Sequence, residues 1–507
     1  MELEFNKETV IYQKKVCDVT VTHEQTQEAI VPDALPDVFE ILSTYSNVCL
    51  RGKDTESGRV VVTGVAETSV LFSTEGGGRV RSMAVNVPFT VSADCAEITN
   101  ESAVIADVTV LSAETKLINP RKVLVKLNLC AGLKCYNDAQ ICVMCGADGE
   151  GIEALARTSK AETVKSVTEK TFIISDEYGI SGSKAPVGNI LACTSRLYAE
   201  DVKVIGTKLI ISGRVGSSVI YLSDSGEEIE CADFSTMFSQ VVELPDQSDD
   251  CGSDISLMLT GAYYNVAAIG GAKGISTEVH VVAQVETTCE TDITYVADIF
   301  GTTRAVECEL CCVELSERAE MTEVSEMLRG SIALGSAADR ILRSDYSASV
   351  VSVVRTENGI EANIRAAASV LYISQGGEVG SARGNIEGSV VLPVSNDDGL
   401  CVTCKTGDEI YVTPAGNELE ICVPIVLGIS KNEKRTIECV VNASVSADER
   451  DLSERPSVIL YKTQESDDMW SIAKRFGTSR LSIAEANSLD AADTLTKGTL
   501  LLIPKMR

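Results

Sequence analysis

The chain has 507 residues, too many for one core of ordinary size, and the length predicts about three or four domains. Hydrophobic residues make up 44% of it and aromatics only 5%, with Trp470 the single tryptophan, which argues against a large aromatic-lined sugar cleft. A formal net charge of -30 argues against a nucleic-acid partner or an anionic membrane surface.

The opening Met1-Glu-Leu-Glu-Phe-Asn-Lys lacks a basic region followed by an apolar core, so no signal peptide is expected and the protein is expected to stay inside the cell. No apolar run approaches the about 18 residues of a membrane span. The 18 cysteines in so long a chain read as buried or partly buried thiols, not as a disulfide scaffold.

Residues 1–30 form an N-terminal segment whose Val10–Val21 stretch reads as one or two strands. After Pro36-Asp37-Val38 and Ile41-Leu42 comes a succession of alternating segments: 59–65, 69–73, 80–91, 103–111 and 123–129. A period of two broken by glycine-rich turns is the half-buried β pattern. Gly76-Gly77-Gly78 reads as a hairpin tip, since neither a Lys-Ser/Thr pair nor a helix follows it.

The pattern then recurs. Ser69-Val70-Leu71-Phe72 is matched by Ser218-Val219-Ile220-Tyr221 and by Ser369-Val370-Leu371-Tyr372, 149 and 151 residues further on. Each is followed by a glycine-rich acidic turn. Ile41-Leu42, Ile190-Leu191 and Met327-Leu328 are assigned to corresponding places upstream. Such self-similarity predicts related β-rich units, here three, at 31–150, 176–300 and 308–447. Glu153 to Lys170, free of Gly and Pro, reads as a short helix or a linker. Residues 448–456 are charged and close on Pro456, the composition of a tether. The fold class is mainly β, with a small βααβ domain at 457–507.

Signals for catalysis or metal binding are weak. His23 and His280 sit in strand-like segments with no nucleophile motif beside them. Cys142/Cys145, Cys308/Cys311 (with Cys312 adjacent) and Cys401/Cys404 have a zinc-ligand spacing but do not recur in register, so no cofactor and no metal is expected. Asp249-Asp250 and Glu227-Glu228 read as solvated turns.

The tail carries the functional signal. Met469, Ile472, Ala473 and Phe476 fall on one helical face, with Asp468 placed to cap it and Gly477 to end it. Ile483 and Ala484 begin a second helix that Asn487 is expected to stop, and Leu500 to Ile503 closes the tail as a strand before Pro504. With Tyr461, Asn487-Ser-Leu489 and Gly498, this order resembles the LysM module. The resemblance implies a βααβ fold that binds N-acetylglucosamine-containing glycan such as peptidoglycan through two loops. Carried over, these are Ser466, Asp467, Asp468 and Met469, and Asn487, Ser488, Leu489 and Asp490. The tail departs from the pattern at Ser466, where the family has a turn glycine, at Asp468, where it has threonine, and at Arg480.

Three β units ahead of a LysM tail resemble the SPOCS-domain family of spore-coat morphogenetic proteins, on the strength of Pro36-Asp37-Val38, Ile41-Leu42 and the Ser-Val-x-aromatic strands. That resemblance implies a non-enzymatic scaffold in the mother-cell cytoplasm at the forespore surface. Its implied partners are peptidoglycan, the basement-layer ATPase of the coat and other coat proteins. The rival readings are a LysM-targeted cell-wall hydrolase, which requires a catalytic constellation and an export signal, and an exported envelope protein that binds peptidoglycan.

Overall fold

The computed structural model describes residues 4–75, 79–180, 182, 184–245, 251–316, 320–357, 359–395, 399–407, 410–431, 434–449, 456–490 and 495–505. Gly76-Gly77-Gly78, Asp249-Asp250 and most of the expected tether lie outside the described residues.

The alternating segments fold into one strand plan used three times. In the first unit a long strand β1 (Glu4–Ile30) precedes a meander of β2 (Val38–Glu56), β3 (Arg59–Thr74) and β4 (Val80–Asp94). Then follow β5 (Ala103–Asn119) and β6 (Lys122–Asp148), and β6 runs back antiparallel along β1 from Ile30↔Lys122 to Glu4↔Asp148. The second unit repeats this with β7 (Ile152–Gly179), the meander β8 (Val187–Ile205), β9 (Lys208–Ser223) and β10 (Ile229–Glu243), then β11 (Gly252–Ile269) and β12 (Ala272–Gly301). There β7 pairs with β12 from Ile152↔Gly301 to Gly179↔Gly274. In the third unit the same ribbon comes in two pieces around the meander. Its strands are β13 (Arg304–Ser316), β14 (Glu320–Ala333), the meander β15 (Ala338–Thr356), β16 (Gly359–Ser374) and β17 (Val379–Val391), then β18 (Leu400–Thr406), β19 (Tyr411–Ala415), β20 (Glu418–Lys431) and β21 (Lys434–Glu449). β14 pairs with β20 and β13 with β21.

Val10–Val21, read as one or two strands, lies inside a single one, β1. One local reading is corrected: Glu153 to Lys170, expected as helix or linker, is the larger, N-terminal part of β7. Its Ala, Glu and Lys content favours a helix in isolation. Residue-by-residue pairing with β12 overrides that preference, and Thr158, Thr163, Val164, Val167 and Thr168 suit the pleated surface.

The first strand of every meander breaks register at the same three places. The shifts lie at Val38/Glu40, Ile41/Ser43 and Leu50/Gly52 in the first unit and at Val187/Asn189, Ile190/Ala192 and Ala199/Asp201 in the second. In the third they lie at Ala338/Arg340, Ile341/Arg343 and Val350/Ser352. A bulge re-aims the extra side chain. The middle bulge of each turns Leu42, Leu191 and Leu342 toward one shared cluster, with Leu71, Ile220 and Leu371 from the second strands and Val80, Ile229 and Val379 from the third. The counterpart of Ile41-Leu42 in the third unit is therefore Ile341-Leu342. Met327-Leu328 sits on β14, where Leu328 packs into that unit's own core.

Each unit also has a core of its own, built around Leu127 and Phe89 in the first, Ile211 and Val281 in the second and Ile364 and Leu427 in the third. At about 25 cal/mol per Å² of apolar area removed from water, these interiors supply most of the driving force for folding. Units one and two share a nine-stranded sheet in the order β4-β3-β2-β11-β12-β7-β1-β6-β5. Asn47 ties their meanders, donating to the Cys193 carbonyl at 3.1 Å and accepting from Ser195 N at 2.9 Å.

The cysteines depart from expectation in two ways. Cys142, Cys308, Cys311, Cys312 and Cys401 are exposed, and Cys251, just ahead of β11, is joined to Cys289 of β12 as a disulfide with Cα atoms 4.4 Å apart, where free thiols were expected. The three Cys-x-x-Cys pairs lie on strands β6, β13 and β18. In an unbroken extended strand residues i and i+3 point to opposite faces about 10 Å apart, so the spacing of Cys308/Cys311 and Cys401/Cys404 does not make a chelating pair, whereas β6 is bulged at Cys145. His23 contacts Gln25, and His280 contacts Glu278 at 2.7 Å.

Candidate functional site

The tail folds as β22 (Val458–Lys462), α1 (Met469–Phe476), α2 (Arg480–Asn487) and β23 (Leu500–Pro504), with β22 antiparallel to β23. Met469, Ile472, Ala473, Ile483, Leu501 and Ile503 form its core. Asp468 caps α1 by accepting from Ser471 N at 2.7 Å, while the Ser471 hydroxyl is 3.0 Å from Asp468 N, a reciprocal box that satisfies two otherwise orphan donors. Gly477 ends α1 in the left-handed region at φ 57°.

The two expected loops divide into framework and surface. Asp467 is buried and accepts from Tyr461 Oη at 2.6 Å, Gln464 N at 2.8 Å and Arg475 at 3.3 Å. The hydrogen bonds from Tyr461 and Gln464 hold its carboxyl below the usual carboxylate range. Met469 is core. Asn487 donates to the carbonyls of Ile483 and Leu502 and accepts from Leu502 N, each at 2.7 Å, so it splices α2 to β23. Leu489 packs against the core from its edge. Ser466, Ser488 and Asp490 face solvent, as does Asp468 while it caps the helix. The loops are anchored on neighbouring positions of one ribbon, the first through Tyr461, which pairs with Leu501, and the second through Leu502.

Two conformational expectations change. The left-handed residue after α2 is Ser488, at φ 56°, and not Asn487. Ser466 is not among the positive-φ residues, so the family's turn glycine is not required there for backbone reasons. Replacing Asn487 with alanine removes the partner of the Leu502 N–H and of the Leu502 carbonyl, while the Ile483 carbonyl keeps its backbone bond within α2. The expected loss is about 1–2 kcal/mol of tail stability, read from the Trp470 fluorescence melt of the full chain.

A second set of contacts was not foreseen. Trp470 Nε1 donates to Asp298 at 2.8 Å, and Lys474, one helical turn on, donates to both oxygens of that carboxylate at 2.6 and 2.7 Å. The Trp470 ring meets Phe300 edge to face at 4.9 Å between centroids, and the Arg480 guanidinium lies 5.1 Å from the Trp470 ring. Arg480 also bonds Glu153 at 3.3 Å and the Ala154 carbonyl at 3.2 Å. The departure from the family pattern at Arg480 is thus a contact with the second unit. The i, i+4 spacing of Trp470 and Lys474 was visible in the sequence, but nothing there pointed to partners 172 and 176 residues away.

The comparisons agree with this division. A family model for the SipL SPOCS domain matches residues 37–118 and 186–267, the segments from β2 through β5 and from β8 into β11. The LysM domain model matches residues 461–504. No curated protein and no solved structure matches the chain. Among the described residues no helix is long and apolar enough to cross a membrane. The chain therefore carries two segments that match the SipL SPOCS domain, a domain of sporulation proteins, and a C-terminal LysM domain, a module of the peptidoglycan-binding class.

Proposed function

We propose that this protein is a non-enzymatic scaffold of the spore envelope whose LysM domain docks N-acetylglucosamine-containing glycan through the edge formed by Ser466, Asp468, Ser488 and Asp490. One observation carries the reading. These four residues face solvent while Trp470, Lys474 and Arg480 contact Asp298, Phe300 and Glu153, so the domain rests on the second unit by α1 and the start of α2 and keeps its loop edge open. The unit bounds that best fit the ribbons are 4–148, 152–301 and 304–449, with the third taken as a further SPOCS copy because its meander repeats the same three bulges. On this reading the units offer loops and strand edges to other coat proteins, and the protein works in the mother cell at the forespore surface.

The test is retention of the full chain on purified peptidoglycan, with a Ser466→Trp variant that crowds the open edge. Retention of the native chain and its loss in the variant is the expected result. Failure to bind glycan while a basement-layer ATPase of the coat retains the chain would replace the glycan by a protein partner. Retention on neither would remove the docking role.

A further inference from the structure

We propose that the end of the second unit's long ribbon, built from Glu153, Asp298 and Phe300, is a seat that latches the LysM domain of the same chain with Trp470 as its pin. The inference rests on the chemistry of the contact and on where the connection starts. Phe300 is 3% exposed and belongs to the LysM core cluster, so its ring is buried by the tail, whereas an apolar ring left open at a ribbon end would be a liability. Asp298 answers the tail with a matching acceptor for both the indole N–H and the ammonium. Arg480 closes the contact from the other helix by pairing with Glu153, itself largely shielded.

The third unit delivers the tail beside this seat. β21 finishes at Glu449, paired with Arg304, three residues beyond Gly301 where β12 ends, and β22 begins at Val458. A connection so short gives the tail a high effective concentration at the seat, so a modest contact suffices to keep it closed within one chain. The LysM edge is thereby held in one direction relative to the SPOCS units.

The latch depends on charge. Burial pushes the Asp298 carboxyl up, but hydrogen bonds from Lys474 and Trp470 outweigh it and hold the group below its ordinary range. The other charges at the contact, Arg480 and Glu153, are paired with each other. A carboxyl depressed in the closed state stabilises that state above its free pKa and loses the effect as the pH falls through the closed-state pKa. The latch is therefore firm at neutral pH and loosens below about pH 4, with high salt acting in the same direction.

Because Trp470 is the single tryptophan, its emission reads the latch in the full chain without any glycan, so the result stands apart from whether the LysM edge binds sugar. The native chain is expected to emit in the blue and to resist acrylamide. Asp298→Lys is expected to shift emission to the red and raise the quenching constant severalfold. The charge-reversed pair Asp298→Lys with Lys474→Asp is expected to return both toward native values, which a mere folding defect would not do. A native chain already quenched like free indole, an unchanged spectrum in Asp298→Lys, or no recovery in the reversed pair would each overturn the latch.

Discussion

Replacing Arg343 with alanine is expected to cost the folded chain about 3–5 kcal/mol, measured by urea unfolding followed by far-UV circular dichroism. Arg343 occupies the position after the middle bulge of the third meander, where the other units carry Ser43 and Ala192. Its side chain is only 4% exposed. The guanidinium pairs with Asp345 of its own strand, donates to the Ser218 carbonyl at 3.3 Å and to the Thr194 hydroxyl of the second unit, and lies 4.5 Å from the Tyr45 ring of the first. Burial pushes the Tyr45 phenol up to about 12, so it faces the cation as a neutral ring. One side chain therefore joins the three meanders where their apolar cluster would otherwise be close to threefold.

The sign follows from what truncation leaves behind. An alanine at 343 removes the cation but not Asp345, which among the described residues keeps its 3.3 Å contact with Arg196 in a shielded site, and it opens a cavity between units. Removing both charges with Arg343→Leu and Asp345→Ser leaves no buried charge unpaired and is expected to cost much less than Arg343→Ala alone. Such non-additivity is the mark of an ion pair that sets the register of the units more than it supplies stability. A loss of less than about 1 kcal/mol for Arg343→Ala, the range of exposed pairs, would show that the meanders do not depend on this pin.

The strands, the repeat and the tail could be read from the sequence because each rests on a local period. Alternation marks Val60, Val62 and Val70, and the i, i+3, i+4 spacing marks Met469, Ile472 and Ala473, whichever partners they meet. The ribbons could not be read this way. Ile30 pairs with Lys122 and Glu4 with Asp148, and an antiparallel match across such a separation leaves no trace in either segment alone. Bulges explain the misplaced third copy, since Ile341-Leu342 breaks the alternation that a strand search relies on. In the LysM domain the order of strand, two helices and strand was legible, but sequence does not tell a ligand-facing polar side chain from one engaged internally. Asp467 and Asn487 are of the second kind, bonded to their own domain, while Ser466 and Ser488 remain at the surface.

The second large effect concerns a position where the repeats solve one packing problem in two ways. Gly64 on β3 stands opposite Phe89 on β4, and Gly213 stands opposite Phe238 in the second unit. A Cβ at Gly64 would lie 2.3 Å from Phe89 Cζ and 2.7 Å from the Cys49 carbonyl oxygen, and one at Gly213 would lie 2.1 Å from the Tyr198 carbonyl oxygen. The ring lies over the bare backbone and fills the space that a side chain would take. In the third unit the pair is reversed, with buried Ile364 opposite Gly388, and Leu328 from β14 lies over the glycine.

Phe89→Ala should therefore cost about 3–5 kcal/mol, because the ring is 3% exposed and the glycine beneath it cannot fill the void. Gly64→Ile alone should cost more than the about 1–3 kcal/mol of ordinary overpacking, since one of its clashes is with backbone. The reversed pair, Gly64→Ile with Phe89→Gly, copies the arrangement of the third unit and should recover part of both losses. Recovery is limited by the clash with the Cys49 carbonyl, which the second change leaves in place, and by glycine's weak strand preference. Urea midpoints of the two single variants and the double variant measure the coupling directly. If the two losses simply add, the glycine and the ring are independent, and the reversal in the third unit has another origin.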